Sequence, residues 1–184
     1  MRWYALFVET GKEDIVCNHI DNIIKNEFEY KLLIPKREMQ EKNNGKTHTI
    51  FKKMFPGYIL VNTNEIFEMY TQTKSCNHLF GFLRSYDYFH EIDLEEISSF
   101  IYMLNDDDTI ESSNVFLEDD KIIVTSGPLL EYSGYIKKID KRKNRAKILF
   151  KFSGQDHLID VSINIIRKLE EIDMKNEIMF FKSR

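Results

Sequence analysis

Proline and glycine are scarce in these 184 residues, three and seven in all, so those that occur are expected to mark positions with a backbone requirement. Cysteine is scarcer still. Cys17 and Cys76 lie far apart and form neither a Cys-x-x-Cys nor a Cys/His cluster, which reads as two reduced thiols and not a disulfide framework. No apolar run approaches the roughly 20 residues of a membrane span, so no membrane partner is expected. The apolar start, Met1 to Val8, is short and runs straight into Glu9 and Lys12-Glu13-Asp14 with no small-residue cleavage site. It reads as a first strand and not as a secretory signal, and a cytoplasmic protein is expected. Also missing are a glycine-rich phosphate loop, a Gly-x-Ser-x-Gly elbow and a His-Glu-x-x-His pair. His19, His48, His78, His90 and His157 do not recur at metal-ligand spacing, and the Asp106-Asp107-Asp108 run has no fixed geometry for magnesium. With no nucleophile–base or acid–base constellation either, the expectation is a protein that is not an enzyme and carries no cofactor or metal.

What is present suits folded, soluble material: 42% apolar and 30% charged residues. The formal net charge of −4 conceals a segregation. Residues 1–105 hold 12 Lys and Arg against 15 Asp and Glu; residues 106–120 hold none against 7; residues 121–184 hold 14 against 8. The stretch 106–120 is self-repelling and poor in apolar periodicity, so it is expected to be an extended acidic linker, with an acidic loop inside one domain as the alternative. Val115-Phe116-Leu117 interrupts it and is the part suited to dock on a neighbour.

Before the linker, Trp3 to Val8 reads as a buried strand, and Ile15, Val16, Ile20, Ile23 and Ile24 fall on one helical face within 12–28. Strands are expected at 30–35, 55–61 and 80–83, helices at 66–73 and 94–104, and a polar hairpin-like loop over 39–48 around Asn43-Asn44-Gly45-Lys46. This order describes an α+β sandwich of helices against a sheet, occupying 1–105. Over 121–170 the pattern changes to short strands at 121–124, 135–139, 146–152 and 158–161, punctuated by Ser126-Gly127-Pro128 and by Ser153-Gly154-Gln155-Asp156. That pattern fits a small all-β barrel, which removes exposed sheet edges, followed by a tail over 171–184.

Trp3-Tyr4, Pro35 and Lys53-Met54-Phe55-Pro56-Gly57-Tyr58-Ile59-Leu60-Val61 resemble the N-terminal (NGN) domain of NusG-type transcription elongation factors. Val124-x-x-Gly127-Pro128-Leu129 with Gly134-Tyr135-Ile136-x-x-Ile139-Asp140 resembles their Tudor/SH3-like KOW barrel. Both motifs occur in the family's order over about residues 2–170, and the opening Trp3 to Glu13 is most similar to the specialised LoaP group of antiterminators. The resemblance implies docking on the β′ clamp helices of RNA polymerase through an apolar face that includes Trp3, Tyr4, Met54, Phe55, Pro56, Gly57 and Tyr58. Read by residue chemistry alone, Phe55 and Tyr58 are better explained as ordinary core residues of a strand kinked by Pro56 and Gly57, and it is the resemblance that reverses this. In the family an aromatic before the glycine matching Gly154 contacts a ribosomal protein or Rho. Ser153 stands there in this chain, which argues against both partners, although Phe152 is one residue away.

Lys137, Lys138, Lys141, Arg142, Lys143 and Arg145 crowd one β-turn of the barrel, near Tyr132 and Tyr135. Such density suits phosphate, and leader RNA is the partner the LoaP resemblance implies. The alternative is a solvated, lysine-guarded sheet edge. Lys52 and Lys53 extend the basic surface to the first domain or form the charged rim of an apolar interface. A monomeric transcription antitermination factor is the leading expectation, and a KOW-containing ribosome- or rRNA-associated module is the alternative.

Overall fold

The computed structural model describes residues 1–166 apart from 86, 119, 120 and 153. Ser153, the end of the expected barrel at 167–170 and the tail expected at 171–184 lie outside the described residues. The first half runs β1 (Arg2–Val8), α1 (Glu13–Ile24), β2 (Tyr30–Leu33), β3 (Lys36–Asn43), β4 (Lys46–Lys53), β5 (Tyr58–Thr63), α2 (Ile66–Thr73), β6 (Leu79–Phe82), β7 (Arg84–Ser85), β8 (Tyr88–Phe89) and α3 (Leu94–Ile101). The second runs β9 (Thr109–Ile110), β10 (Ser113–Glu118), β11 (Lys121–Ser126), a 3₁₀ turn (Ser133–Tyr135), β12 (Ile136–Asp140), β13 (Arg145–Phe152) and β14 (Gln155–Ile166).

An antiparallel sheet in the order β2-β5-β1-β6 organises the first half. Side chains of β1 alternate across it, as the pleat requires. Tyr4, Leu6 and Val8 enter one core with Val16, Ile20 and Ile24 of α1 and Met69 of α2, whereas Ala5 and Trp3 face Ile97 and Phe100 of α3. Ile15 and Ile23, expected on the inward face of α1, lie on its exposed shoulder. The expected polar loop over 39–48 is the end of a long hairpin: β3 and β4 pair from Lys36↔Lys53 to Asn43↔Lys46. Asn44 and Gly45 both take positive φ, the two-residue turn that matches strand twist.

The second half closes in the order β11-β10-β14-β13-β12, antiparallel except where β10 runs parallel to β14. The fold is therefore the NGN-like sandwich with a KOW-like barrel that the residue pattern implies.

The stretch 106–120 differs from an extended linker. Thr109–Ile110 pairs in parallel with Lys36–Arg37, and Ser113–Glu118 is a barrel strand paired on both sides. Ile110 and Val115 are buried, and their burial outweighs the repulsion among acids that stay at the turn around Asp106 to Asp108. Asn105 fixes that turn, its side-chain carbonyl accepting the N–H groups of Asp107 and Thr109, both at 3.0 Å.

One apolar core spans the two halves. It runs from Ala5, Leu33, Met54 and Leu60 of the sheet, through Ile97 and Phe100 of α3, to Ile148, Phe150, Ile159 and Val161 of the barrel.

Candidate functional site

Phe55 to Tyr58 is not the start of a strand but a β-turn leading into β5. The Tyr58 N–H donates to the Phe55 carbonyl at 3.1 Å, with Pro56 at the second position and Gly57 at the third with φ 85°. Proline at the second and glycine at the third position define a type II turn, which takes Phe55 out of the strand while Tyr58 opens β5 opposite Phe7. A Cβ on Gly57 would stand 3.0 Å from Thr10 Oγ1, so space and backbone angle both select glycine.

A buried carboxylate anchors this turn. Glu13, fully buried at the start of α1, accepts the Gly57 N–H at 2.8 Å and Lys53 Nζ at 2.8 Å. Burial alone would raise the Glu13 pKa. The hydrogen bonds from Lys53, Gly57, its own backbone and Gly11 outweigh that and hold it at about 2. Lys53 also pairs with Asp14, so its ammonium is engaged by two carboxylates of the first half. In the sequence Glu13 is one acid in a charged helix start, and no local signal singles it out.

The turn sets Phe55 and Tyr58 on the α3 side of the sheet with Trp3 and Met54. Tyr4, expected on the same face, is a correction: strand alternation places it in the opposite core, against α1 and α2. Phe7, absent from the expected face, extends it. Its ring lies 5.4 Å from Tyr58 and 5.4 Å from the exposed Phe80. The period-two spacing Trp3, Ala5, Phe7 is the signal that could have found it.

The barrel covers part of this face. Phe55 packs on Phe100 of α3, centroids 5.6 Å apart, and edge-on to His157 of β14 at 6.2 Å. Phe100 in turn meets Phe150 of β13 at 5.5 Å. Glu96 Oε1 accepts the Gly154 N–H at 3.3 Å, and Ser99 Oγ lies 3.4 Å from the Tyr135 hydroxyl. On the other flank Ser112 donates to Glu38 at 3.0 Å and β14 packs against β3.

The basic residues divide into two sets. Lys137 and Lys138 on β12 and Lys141, Arg142 and Lys143 in the following turn are exposed, and the turn is pinned by Asp140 Oδ1, which accepts the N–H groups of Arg142 at 3.1 Å and Lys143 at 3.0 Å. Arg145 is half-buried, 3.9 Å from Asp160, which also pairs with Lys147 at 2.8 Å. Arg37 of β3 faces the same node: burial lowers its guanidinium pKa, Asp160 opposes that shift and the Arg145 charge adds to it. Lys52 is spent on Glu41 across the β3–β4 hairpin. The structure thus keeps the barrel turn as an open basic surface and takes Lys52 and Lys53 into ion pairs.

Residues 1–101 match the family model described as transcription termination factor nusG. Curated relatives named transcription termination/antitermination protein NusG align over nearly the whole chain. The Rickettsia typhi protein is 27% identical over 173 residues, covering 91% of this chain and 90% of its own. The Staphylococcus aureus (strain N315) protein is 25% identical over 177 residues, covering 91% and 96%. Among solved structures, one described as domain interaction in Thermotoga maritima NusG superposes with a TM-score of 0.55 at 20% identity, over 88% of this chain and 93% of that one. An α+β sandwich carrying a Pro-Gly turn on its apolar face, joined to a small barrel, is the architecture on which these matches fall. The chain belongs to the NusG family of transcription termination/antitermination factors. Its curated relatives are named as transcription termination/antitermination proteins, which does not favour the ribosome-associated alternative. No helix among the described residues is long and apolar enough to cross a membrane.

Proposed function

We propose that this chain is a specialised antitermination factor of the LoaP-like kind. Its first domain, residues 1–105, docks on the β′ clamp helices of RNA polymerase, and its barrel, 121–170, holds leader RNA at the basic β12–β13 turn. The observation that carries the docking half is the Phe55–Tyr58 turn. It places two aromatics beside Trp3 and Met54 on a sheet that α1 and α2 brace from behind, and interfaces are commonly held by a few such anchors on a rigid support. His157 against Phe55 adds a condition: docking through that ring needs the barrel to move off it. The factor is then a closed cytoplasmic monomer that opens at the polymerase.

A pull-down with polymerase tests this. Phe55→Ala and Tyr58→Ala are each expected to weaken recovery by about 30-fold, the roughly 2 kcal/mol of a hot-spot aromatic. Phe55→Ala also removes the packing on Phe100, so circular dichroism must show both variants folded. Undiminished recovery with both rings removed would sink the docking claim. For the RNA half, Lys141, Arg142 and Lys143 changed to Glu should weaken binding and cut the log–log salt slope by about 0.7 for each phosphate no longer neutralised. An unchanged slope would make the turn a solvated edge and nothing more.

A further inference from the structure

Seating the barrel creates a cleft of ≈ 330 Å³ between two hairpins that belong to different halves of the chain. Gln40, Glu41, Lys42 and Thr47 of the β3–β4 hairpin form one wall, and Arg142, Lys143 and Arg145 the other. We infer that this cleft is a composite site for an RNA phosphate backbone, complete only while the barrel sits on the first domain. The inference rests on the RNA reading above and extends it to a second wall.

The charge arrangement supports it. Among the described residues Lys42, Arg142 and Lys143 form no ion pair, and the acid that lines the cleft with them, Glu41, is held by Lys52, so positive charge is in excess there. The nearby acids are engaged elsewhere: Glu41 by Lys52, Asp160 by Lys147 and Arg145, and Asp140 by the backbone of its own turn. Arg145, which lines the cleft, has its Nε buried with no hydrogen-bond acceptor among the described residues. That nitrogen is shut off from the cleft, so a phosphate oxygen, a strong acceptor with the right charge, meets the terminal nitrogens of the Arg145 fork. Gln40 and Thr47 add neutral hydrogen-bonding groups of the kind that can meet a ribose hydroxyl.

Linkage then follows. A ligand that binds the closed form more tightly than the open one stabilises it, so RNA in this cleft holds the barrel over Phe55. RNA and polymerase compete for one chain, each weakening the other by the same factor. The RNA-bound form is the waiting form, and docking releases the transcript from the first-domain wall.

The test uses the full chain, filter binding to a random-sequence RNA pool, and a salt series. Lys42→Glu, an exposed change outside the basic barrel, is expected to lower affinity about tenfold and the salt slope by about 0.7. Lys46→Glu makes the same charge change at the hairpin end, outside the cleft, and should alter affinity less than about twofold if position and not overall charge matters. Equal effects from the two variants overturn the cleft. A loss with Arg142→Glu and Lys143→Glu but not with Lys42→Glu also overturns it, while the RNA reading of the barrel stands. A wild-type chain that binds no RNA at any salt removes that reading and the inference together. Equal binding of the same pool as single-stranded DNA overturns the assignment to RNA. Finally, saturating RNA should reduce recovery of the wild-type chain on core polymerase, and unchanged recovery overturns the competition.

Discussion

Glu13→Gln should cost the protein about 3 kcal/mol at neutral pH and remove the part of its acid sensitivity that this carboxylate carries. The carboxyl group falls from 4.5 to about 2 on folding, against a burial effect that works the other way, and each unit is worth about 1.4 kcal/mol. Because the folded value is depressed, the stabilisation is fully present above the unfolded value near 4.5 and is lost as pH falls from there toward about 2. Glutamine keeps the shape and an acceptor for the Gly57 N–H, so the variant isolates the charge; Lys53 retains Asp14. Glu13→Ala should be worse, because it strands the Gly57 N–H in a buried place as well. Denaturant unfolding of both forms at pH 7 and pH 3 decides the matter. Parallel pH profiles for wild type and Glu13→Gln would show that the carboxylate is not the group being titrated. The functional reach of this residue is indirect. It ties α1 to the turn that orients Phe55 and Tyr58, so Glu13→Gln should blunt polymerase recovery without touching the apolar face.

Gly127→Ala should be comparably damaging to the barrel, by about 3 kcal/mol. A Cβ there would lie 2.7 Å from Ser113 Cα and 2.8 Å from Ser113 Oγ, and the φ of 92° is one that side-chain-bearing residues resist. Ser113 cannot step aside cheaply. It is a buried β10 residue, and its Oγ accepts the Leu129 N–H at 3.0 Å, which holds fully buried Leu129 in the core. Gly134→Ala provides the comparison. That glycine has open space around it and an ordinary φ, so its change should stay within about 0.5 kcal/mol. Similar midpoints for the two alanine variants in urea would refute the close-approach argument for Gly127.

Much of this fold is readable from residue order. The strands β1, β5 and β6, helices α1 and α2, and the four strands β11 to β14 fall close to where apolar periodicity and turn residues place them. The departures share a cause: local signals outvoted by contacts distant in sequence. Pro56-Gly57 reads as a kink within a strand until the Glu13 carboxylate, more than 40 residues away, shows why a full turn forms there. Asp106 to Asp120 reads as a linker because its acids outnumber Ile110 and Val115, yet those two have the buried environment. Tyr4 and Trp3 are adjacent in any family motif, but a pleated strand sends them to opposite sides. Nothing local announces that His157 will meet Phe55, or that Lys42 and Lys143 will share a cleft, since both pairings depend on how the two halves dock.

The parallel pairing of β10 with β14 has a kinetic meaning. Ser113 finds Ile163 and Phe116 finds Ile166, partners 50 residues apart, whereas the other barrel pairings among the described residues are antiparallel. Contacts of such separation pay their loop-closure entropy before they return any burial, so they form late. During synthesis the first sheet, and with it the Phe55 turn, can be complete while β14 is still being made. His157 is on β14. A newly made molecule therefore passes through an interval with Phe55 free of the barrel, and on the docking proposal that interval is when a transcribing polymerase close to the ribosome can claim it.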